Sequence, residues 1–248
     1  MPDLSSPRLR GVLLDLDGTL YDPRRLRALM ALELMRLPFT LGSLKQSRRV
    51  WRIIRCFRAT REELRARGQA PASLEELQYA LPAGRLGVDA SEVRAAVAEW
   101  IHERPLRHLA GCLRPGLTEF IEGLRARRVA VGVFSDYPSA AKLRSLGLHD
   151  AIPLQLAATD AAINAFKPHP GGFIAACRHW DLEPRSVLYV GDRPEVDAAG
   201  ARAAGMPCLI IGRRGTPGAV CFPSFVGLGN ELERLLVDCR ELERAVAR

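Results

Sequence analysis

Two aspartates separated by a single residue, Asp15 and Asp17, are the side chains of this sequence best placed to do chemistry. They follow the apolar run Val12-Leu13-Leu14 and precede Gly18-Thr19. In an extended strand, residues i and i+2 point to the same face, so both carboxylates leave the strand together. Two adjacent like charges are costly unless a cation or a shared proton relieves them. The pair is therefore compatible with a divalent metal site, with a nucleophile beside a general acid/base, or with a solvated acidic turn.

Further polar residues stand at the ends of other predicted elements. Ser135 and Asp136 close an apolar strand pattern, Lys167 precedes a helical pattern, and Asp192 and Asp197 follow the next strand pattern. Taken one at a time, such residues are most often turn residues, surface cations or helix caps. Parallel strands bring their carboxyl ends to one edge of a sheet, so these groups and the aspartate pair can line a single crevice.

From residue 129 onward, the chain alternates short apolar runs with helical patterns. Repeated strand–helix units predict a parallel sheet with helices on both of its faces. The strand that carries the aspartate pair is apolar throughout, which is typical of a buried parallel strand. The strand patterns cover Val129–Phe134, Ile152–Ala157, Ser186–Val190 and Cys208–Ile211, and the helical patterns cover Pro138–Leu146, Pro170–Trp180, Glu195–Ala204 and Asn230–Ala247.

The segment from about Tyr21 to Leu109 differs from the rest of the chain. It offers no convincing strand and shows only helical periodicity, which breaks at Pro38, at Gly68–Pro71 and at Pro82–Gly87. Because proline and glycine interrupt helices, these breaks predict several separate helices. The segment is therefore expected to be a helical insert placed directly after the first strand.

Positive charge is concentrated in this insert. The chain has a formal net charge of +8, and residues 21–110 hold 17 Lys/Arg against 10 Asp/Glu, whereas the remainder holds 19 against 18. One predicted helix, Lys45–Arg67, is amphipathic at about 100° per residue. Its apolar stripe consists of Val50, Ile53, Ile54, Phe57 and Leu64, and its basic face consists of Arg48, Arg52 and Arg55, with Trp51 and Arg58 at the edge.

One structural and two functional interpretations fit this basic face. It can be a solvated face whose arginine stems lie over a packed helix. It can also look into a cleft and steer a polyanionic substrate, or contact an anionic membrane surface or a lipid phosphate. Nucleic-acid binding is not expected, since the helix has no interleaved aromatic residues and no recognised module.

Composition argues against several other classes of protein. No stretch approaches the ~20 apolar residues of a membrane span, and the first residues lack the charged and apolar regions of a signal peptide. The six cysteines are scattered without a C-x-x-C pair, and the five histidines show no metal-ligand spacing. We therefore expect a cytoplasmic protein with reduced thiols and without a zinc site.

In this order and at these boundaries, the polar groups resemble the motifs of the haloacid dehalogenase (HAD) superfamily. The matching motifs are DLDGTL at residues 15–20, an apolar strand ending in Ser135, K-P-x-P at 167–170 and G-D-x-x-x-x-D at 191–197. Members of this superfamily include phosphohydrolases with a helical cap domain inserted after the first motif.

The resemblance covers roughly residues 10–20 and 112–215, and the helical insert matches the small cap type of the family. The predicted fold class is therefore α/β, with a Rossmann-like parallel-sheet core and an inserted all-helical cap domain. The predicted core comprises residues 1–20 and 110–248, and the predicted cap comprises residues 21–109.

The resemblance also implies roles for individual residues. Asp15 would be the nucleophile that forms an aspartyl-phosphate, and Asp17 would be the general acid/base. Mg²⁺ would be bound by Asp15, by the backbone carbonyl of Asp17 and by Asp192, since this cation prefers oxygen ligands. Ser135 and Lys167 would be catalytic and would hold the phosphoryl oxygens of the substrate.

Two further aspartates have less direct implied roles. Asp197 would support the metal or the lysine without binding substrate. Asp136 stands where the family often has Asn, and we count it among the predicted substrate-binding residues. Asp17 argues against dehalogenase chemistry, because the dehalogenases of this superfamily lack an acid/base aspartate at this place.

We therefore predict an Mg²⁺-dependent phosphatase that hydrolyses a phosphomonoester of a small molecule through an aspartyl-phosphate. The predicted partner is a small phosphorylated substrate, with polyanionic compounds and lipid phosphates among the candidates. Two alternatives stay open: a phosphomutase or phosphotransferase of the same superfamily, and a non-catalytic binding protein that uses the basic cap.

Overall fold

A parallel β-sheet forms the centre of the molecule. The structure, a computed structural model, describes residues 9–41, 44–212 and 220–231. Within these residues the strands are β1 (Gly11–Leu14), β2 (Ala130–Ser135), β3 (Leu154–Ala157), β4 (Val187–Gly191), β5 (Cys208–Ile211) and β6 (Val220–Phe222). They lie in the order β3-β2-β1-β4-β5-β6, each parallel to its neighbours. The order reverses between β1 and β4, which is where open α/β sheets form a ligand crevice.

Tyr21 and Leu113 pair in an isolated antiparallel bridge, and the described residues between them form helices joined by short segments, one of which pairs with the core through a bridge between Gln69 and Ala165. These helices bury an apolar cluster of their own that includes Ile53, Phe57 and Val97. The helices are α1 (Pro23–Leu41), α2 (Leu44–Arg67), α3 (Leu74–Leu86), α4 (Ala90–Val97) and α5 (Leu106–Leu109), with a π-helical turn, Ala98–Glu103, between the last two.

Helices cover both faces of the sheet because successive strand side chains point in opposite directions. Val12 and Leu14 of β1 enter the apolar cluster on one face, and Leu13 enters the cluster on the other. The first face is covered by α6 (Leu117–Ala126), α7 (Ala140–Ser145) and α10 (Phe225–Asn230), and the second by α8 (Gly171–Trp180) and α9 (Ala199–Ala203). The predicted fold class is confirmed; the domain boundaries at residues 21 and 109 stay a prediction.

The predicted helix break at Pro38 is wrong, and the one predicted over Pro82–Gly87 occurs at Gly87 and not at Pro82. Helix α1 passes through Pro38, and α3 includes Pro82 before it ends at Gly87. A proline inside a helix removes one backbone hydrogen bond, but Pro82 is buried, and its packing in the helical layer offsets that loss. Gly87 has φ of 65°, a left-handed conformation that favours glycine and ends the helix. The predicted break at Gly68–Pro71 is confirmed, since α2 ends at Arg67.

The last part of the chain differs in detail from the sequence patterns. Neither β6 nor α10 was predicted, and the helix expected over Glu195–Ala204 begins instead as a π-helical turn, Pro194–Ala198, that leads into α9. The predicted closing helix, Asn230–Ala247, lies outside the described residues beyond Glu231. In the part of the chain that the structure describes, no helix has both the length and the apolar character needed to cross a membrane.

His102, in the π-helical turn, makes a pH-dependent contribution to stability. Burial, together with the positive charges of Lys142 and Arg61, lowers the pKa of His102 from 6.5 to about 4. The unfolded chain therefore binds a proton at a higher pH than the folded protein does. The stability contributed by the neutral ring is present above pH 6.5 and is lost as the pH falls toward 4.

With allowance for solvent screening, wild type is expected to lose about 2 kcal/mol more unfolding free energy than His102→Gln between about pH 7.5 and about pH 4. Denaturant unfolding at a series of pH values measures this difference. His179 is exposed, so His179→Gln is the control and should retain the wild-type dependence. Equal pH dependence in wild type and His102→Gln would contradict the prediction.

Candidate active site

The aspartate pair lies at the point where the strand order reverses. Asp15 directly follows β1, and its backbone N–H donates to the Val190 carbonyl of β4 at 2.8 Å. Ser135 ends β2, and Asp192 comes directly after β4. These residues line one cavity of about 360 Å³. The structure thus brings the ends of three neighbouring strands to a single crevice.

Asp15 is buried, and both of its carboxylate oxygens are hydrogen-bonded. Oδ1 accepts from Lys167 Nζ at 2.5 Å, and Oδ2 accepts from Thr19 Oγ1 at 2.9 Å. Burial raises the pKa of Asp15 well above its usual range; Lys167 opposes this rise, while Asp197 and Asp192 add to it. An ionised Asp15 would therefore be favoured by additional positive charge at this position.

Lys167 is the central cation of the site and is 3% exposed. Its Nζ donates to Asp15, to Asp197 Oδ1 at 2.7 Å and to the Tyr189 hydroxyl at 2.9 Å. Burial lowers the pKa of Lys167, but Asp15 and Asp197 outweigh burial, and this pKa lies well above its ordinary value. A protonated Lys167 therefore fixes the position of the Asp15 carboxylate.

The two carboxylate oxygens of Asp17 differ in their hydrogen bonds to the described residues. Oδ1 accepts hydrogen bonds from the Tyr21 hydroxyl and from Lys142 Nζ. Burial raises the pKa of Asp17, but the charge and hydrogen bond of Lys142, followed by the hydrogen bond of Tyr21, outweigh burial and lower this pKa. Oδ2 has no hydrogen-bond partner among the described residues, so it is available to a group bound in the crevice.

Three carboxylates form an acidic cluster beside Asp17. One oxygen from each of Asp15, Asp192 and Asp197 lies within 4.8 Å of the others. Burial, followed by the charge of Asp197, raises the pKa of Asp192 to about 6, and Asp192 Oδ1 has no hydrogen-bond partner in the described part of the chain. Clustered, partly unpartnered carboxylate oxygens are the donors that a hard divalent cation such as Mg²⁺ prefers.

Within this cluster, Asp197 is already engaged by protein groups. Its Oδ1 accepts from Lys167, and its Oδ2 accepts from the backbone N–H groups of Asp192 at 3.0 Å and Arg193 at 2.9 Å. Asp15 and Asp192 are therefore better suited to hold a cation directly. The supporting role of Asp197 stays a prediction.

Gly18 lets Asp192 approach the turn after β1. This glycine has φ of 100°, which favours glycine, and a Cβ atom at its position would lie 2.1 Å from Asp192 Oδ2. The glycine of the D-x-D-G sequence thus keeps the two carboxylate-bearing loops close together.

The two residues that close β2 are both at the crevice. The Ser135 side chain is buried and its Oγ accepts from the Tyr137 backbone N–H at 3.2 Å. Asp136 Oδ2 pairs with Arg65 Nη2 at 2.9 Å, and Oδ1 accepts from the Lys167 backbone N–H at 3.3 Å. Asp136 is thus already bound to protein groups, and contact between Asp136 and substrate stays a prediction.

Helix α2 of the insert reaches the crevice through arginines. Arg61 is buried, its guanidinium lies 3.8 Å from the Tyr137 ring centroid, and it donates to the Asp136 carbonyl at 2.9 Å. Arg65 donates to the Lys167 carbonyl as well as to the Asp136 carboxylate. These contacts hold α2 over the carboxyl ends of the strands.

The basic face of α2 is placed differently from the sequence expectation. Arg58, Arg61 and Arg65 line the crevice, whereas Arg48 and Arg52 are exposed and do not line it. The face that can meet an anionic substrate is therefore rotated along the helix relative to the predicted one. Contact of the exposed arginines with a membrane surface stays a prediction.

Sequence reasoning missed four side chains at the site: Tyr21, Arg61, Arg65 and Lys142. Arg61 and Arg65 continue the Arg58 position at i+3 and i+7, so helical periodicity could have found them. Tyr21 lies four residues after Asp17, and Lys142 lies 125 residues after it. No spacing pattern links Lys142 to Asp17, because only the packing of α7 against the sheet brings the two together.

Fold and site together define a Rossmann-like α/β protein with a carboxylate–lysine centre under a helical insert. A family model described as haloacid dehalogenase-like hydrolase matches residues 9–205. The chain therefore belongs to the haloacid dehalogenase-like hydrolases.

Curated relatives match shorter segments. A glyceraldehyde 3-phosphate phosphatase of Methanopyrus kandleri is 38% identical over 74 residues, which is 30% of each chain. A phosphoglycolate phosphatase of Haemophilus influenzae is 30% identical over 103 residues, which is 40% of this chain and 44% of that protein. The matches thus span less than half the length of these relatives.

Solved structures resemble the whole molecule. A HAD phosphatase from Thermococcus onnurineus superposes with a TM-score of 0.60 at 22% identity, covering 90% of this chain and 98% of that one. At this identity the likeness is evidence for the fold alone.

Proposed function

We propose that this protein is an Mg²⁺-dependent phosphatase that hydrolyses a phosphomonoester of a small molecule through an aspartyl-phosphate. One observation carries the proposal: Asp15, fixed by Lys167, shares a crevice with Asp17, whose Oδ2 has no partner among the described residues. Two-step phosphoryl transfer needs a nucleophile and a general acid/base in this arrangement.

The proposed reaction uses the two aspartates in turn. A carboxylate oxygen of Asp15 attacks phosphorus, the bond between phosphorus and the ester oxygen breaks, and Asp17 gives a proton to the departing alcohol. For this step Asp17 must be protonated in the substrate complex, against the lowering of its pKa by Lys142 and Tyr21. Water then attacks phosphorus, passes a proton to Asp17 and releases phosphate from Asp15. One ester and one water are consumed, and one alcohol and one phosphate are formed.

The remaining site residues stabilise charge or hold other residues in place. The Ser135 hydroxyl and the Lys167 ammonium would donate to the phosphoryl oxygens, where transition-state charge develops. Lys167 already donates to Asp15, Asp197 and Tyr189, so it would exchange one of these hydrogen bonds for one to the substrate. Mg²⁺ held by Asp15, Asp192 and the Asp17 backbone carbonyl would offset the repulsion between the carboxylate nucleophile and the anionic phosphate. Asp197 would keep Lys167 and the loop after β4 in position.

The named activities of the curated relatives support the substrate class. Glyceraldehyde 3-phosphate and phosphoglycolate, named for the two relatives, are both small phosphomonoesters. We propose that the present chain acts on the same class, small phosphomonoesters, without assigning either of these two compounds to it.

We further propose that residues 21–109 act as a cap over the crevice. Arg61 and Arg65 tie α2 to Asp136 and to the Lys167 carbonyl, directly above the phosphate-binding side of the site. A cap in this position would exclude bulk water and strengthen the electrostatic interactions within the crevice.

Chelation of divalent cations is expected to lower phosphate release by at least about 100-fold, because a metal supplies several kcal/mol of charge stabilisation. The assay measures phosphate released from phosphoglycolate, glyceraldehyde 3-phosphate and p-nitrophenyl phosphate, with EDTA and after readdition of Mg²⁺. Calorimetric titration with Mg²⁺ provides a second readout, in which Asp192→Asn should bind the cation more weakly than wild type.

Release that is unchanged by EDTA would contradict the metal requirement. No release from any of these esters or from n-octyl phosphate, from folded protein with Mg²⁺ present, would overturn the hydrolase proposal. In that case, transfer of phosphate between positions of a sugar phosphate would identify a phosphomutase.

A further inference from the structure

A second cavity, of about 740 Å³, lies beside the catalytic crevice. It lies open to solvent on one side, is lined by α1, α2 and the π-helical turn of the insert and by residues of the core, and much of its wall is apolar. We call this cavity the apolar groove. Its apolar wall includes Leu26, Met30, Val50, Ile54, Trp100 and Ile101.

The apolar groove and the catalytic crevice are continuous. Asp17, Arg58, Tyr137 and Arg193 border both. In the proposed reaction the ester oxygen of the substrate must come to Asp17, and the carbon skeleton attached to that oxygen extends away from phosphorus. The groove opens on Asp17, so it is placed to receive the alcohol part of the substrate.

We infer that the substrate is the phosphomonoester of a large apolar alcohol, whose hydrocarbon part lies in the apolar groove while its phosphate lies at Asp15. This inference rests on the proposed function for the reaction and adds the chemical class of the leaving group. Of the candidates drawn from the sequence, it favours a lipid phosphate over a polyanionic compound, because the groove has an extended apolar wall, while its cations Lys142 and Arg58 lie at the end near Asp17, where the phosphate ester would come.

The size and chemistry of the groove carry the inference. A leaving group of two or three carbons would fill a small part of about 740 Å³ and would leave the wall in contact with water. Burying a methylene against an apolar wall is worth about a fourfold change in an equilibrium or specificity constant. A longer hydrocarbon group therefore gains most from this site.

The charges around the groove suit an amphiphilic ester. Five of the described cationic residues line the groove: Arg27, Arg55, Arg58, Lys142 and Arg193. Lys142 is buried at the Asp17 end, whereas Arg27, Arg55 and Arg58 are exposed, and the Arg55 guanidinium lies 5.3 Å from the ring centroid of the half-exposed Trp51. Positive charge at the solvent side attracts the phosphate group, while the apolar wall favours the hydrocarbon part. A single phosphate with a hydrocarbon tail satisfies both surfaces.

A series of n-alkyl phosphates tests the inference. With Mg²⁺ present, and below the concentrations at which the esters aggregate, kcat/KM should rise about fourfold per methylene from ethyl phosphate until the groove is filled. 1-Naphthyl phosphate, compared with phenyl phosphate, tests a flat hydrocarbon group in the same way. A gain in either series supports the inference, and equal kcat/KM across both series overturns it.

A matched pair of variants on α1 locates the effect. Met30 lines the groove, whereas Leu32, two residues away, is 49% exposed and does not line it. Met30→Gln should lose most of the gain with chain length, and Leu32→Gln should keep it. The same gain in both variants would overturn the assignment to the groove.

A binding measurement separates failure of the inference from failure of the proposed function. Trp51 and Trp100 line the groove, so tryptophan emission of the Asp15→Asn protein should change on addition of n-octyl phosphate and not of ethyl phosphate. This change without hydrolysis by wild type would support the groove and overturn the phosphatase proposal. Hydrolysis of short esters, without a chain-length gain or an emission change, would overturn the inference alone.

Discussion

Replacing Asp15 by asparagine is expected to lower phosphate release by at least about 10⁴-fold. In the proposed reaction a carboxylate oxygen of Asp15 attacks phosphorus, and an amide oxygen is a far weaker nucleophile than a carboxylate. Phosphate release with Mg²⁺ and the best ester of the panel measures the effect.

The same substitution is expected to preserve the fold. Burial raises the pKa of Asp15, Lys167 opposes this rise, and Asp197 and Asp192 add to it, so the Asp15 carboxylate is held ionised at a cost in the metal-free protein. Asparagine removes that charge, and Lys167 keeps Asp197 as a partner. The melting temperature in EDTA should therefore not fall below that of wild type.

Asp22→Asn is the control, because Asp22 loses the same charge close to the site without lining the crevice. It should retain wild-type release. A folded Asp15→Asn protein that still releases phosphate at the wild-type rate would exclude Asp15 as the nucleophile.

The sequence was most informative about residues whose positions follow from local geometry. The i, i+2 spacing of Asp15 and Asp17 and the positions of Ser135 and Asp192 at strand ends are sufficient to predict that these side chains meet, once the strands are parallel. The structure places them at one crevice. The grouping of these four side chains at the carboxyl ends of the strands could thus be predicted without knowledge of how the helices pack.

The contribution of the insert could not be predicted in the same way. The rotational position of α2 over the sheet decides that Arg61 and Arg65, rather than Arg48 and Arg52, reach the crevice. Amphipathicity identifies the buried stripe of a helix, but two polar flanks border that stripe, and tertiary packing selects which of them faces the site. The apolar groove likewise exists only where α1, α2 and the π-helical turn come together.

Lys167→Met is expected to abolish phosphate release and to destabilise the protein by about 3–5 kcal/mol, because it removes one partner of a buried ion pair. Asp15 and Asp197 would then face each other without the cation that now bridges them. Arg67→Met, which removes an exposed cation at the end of α2, is the control and should change stability little. Denaturant unfolding in EDTA measures both variants, so that a bound cation does not replace the lost charge.

A double substitution distinguishes this electrostatic explanation from a simple loss of packing. In Lys167→Met/Asp197→Asn one of the two facing carboxylates is neutral, so about 2 kcal/mol of the lost stability should return. Activity should not return, because Lys167 is the proposed donor to the phosphoryl oxygens. The single variant should also become more stable as the pH falls, because burial raises the pKa of Asp15, and protonation neutralises this carboxylate once Lys167 is absent. If the double variant is no more stable than Lys167→Met at any pH, the stability of this site arises from packing and not from the bridge between Asp15 and Asp197.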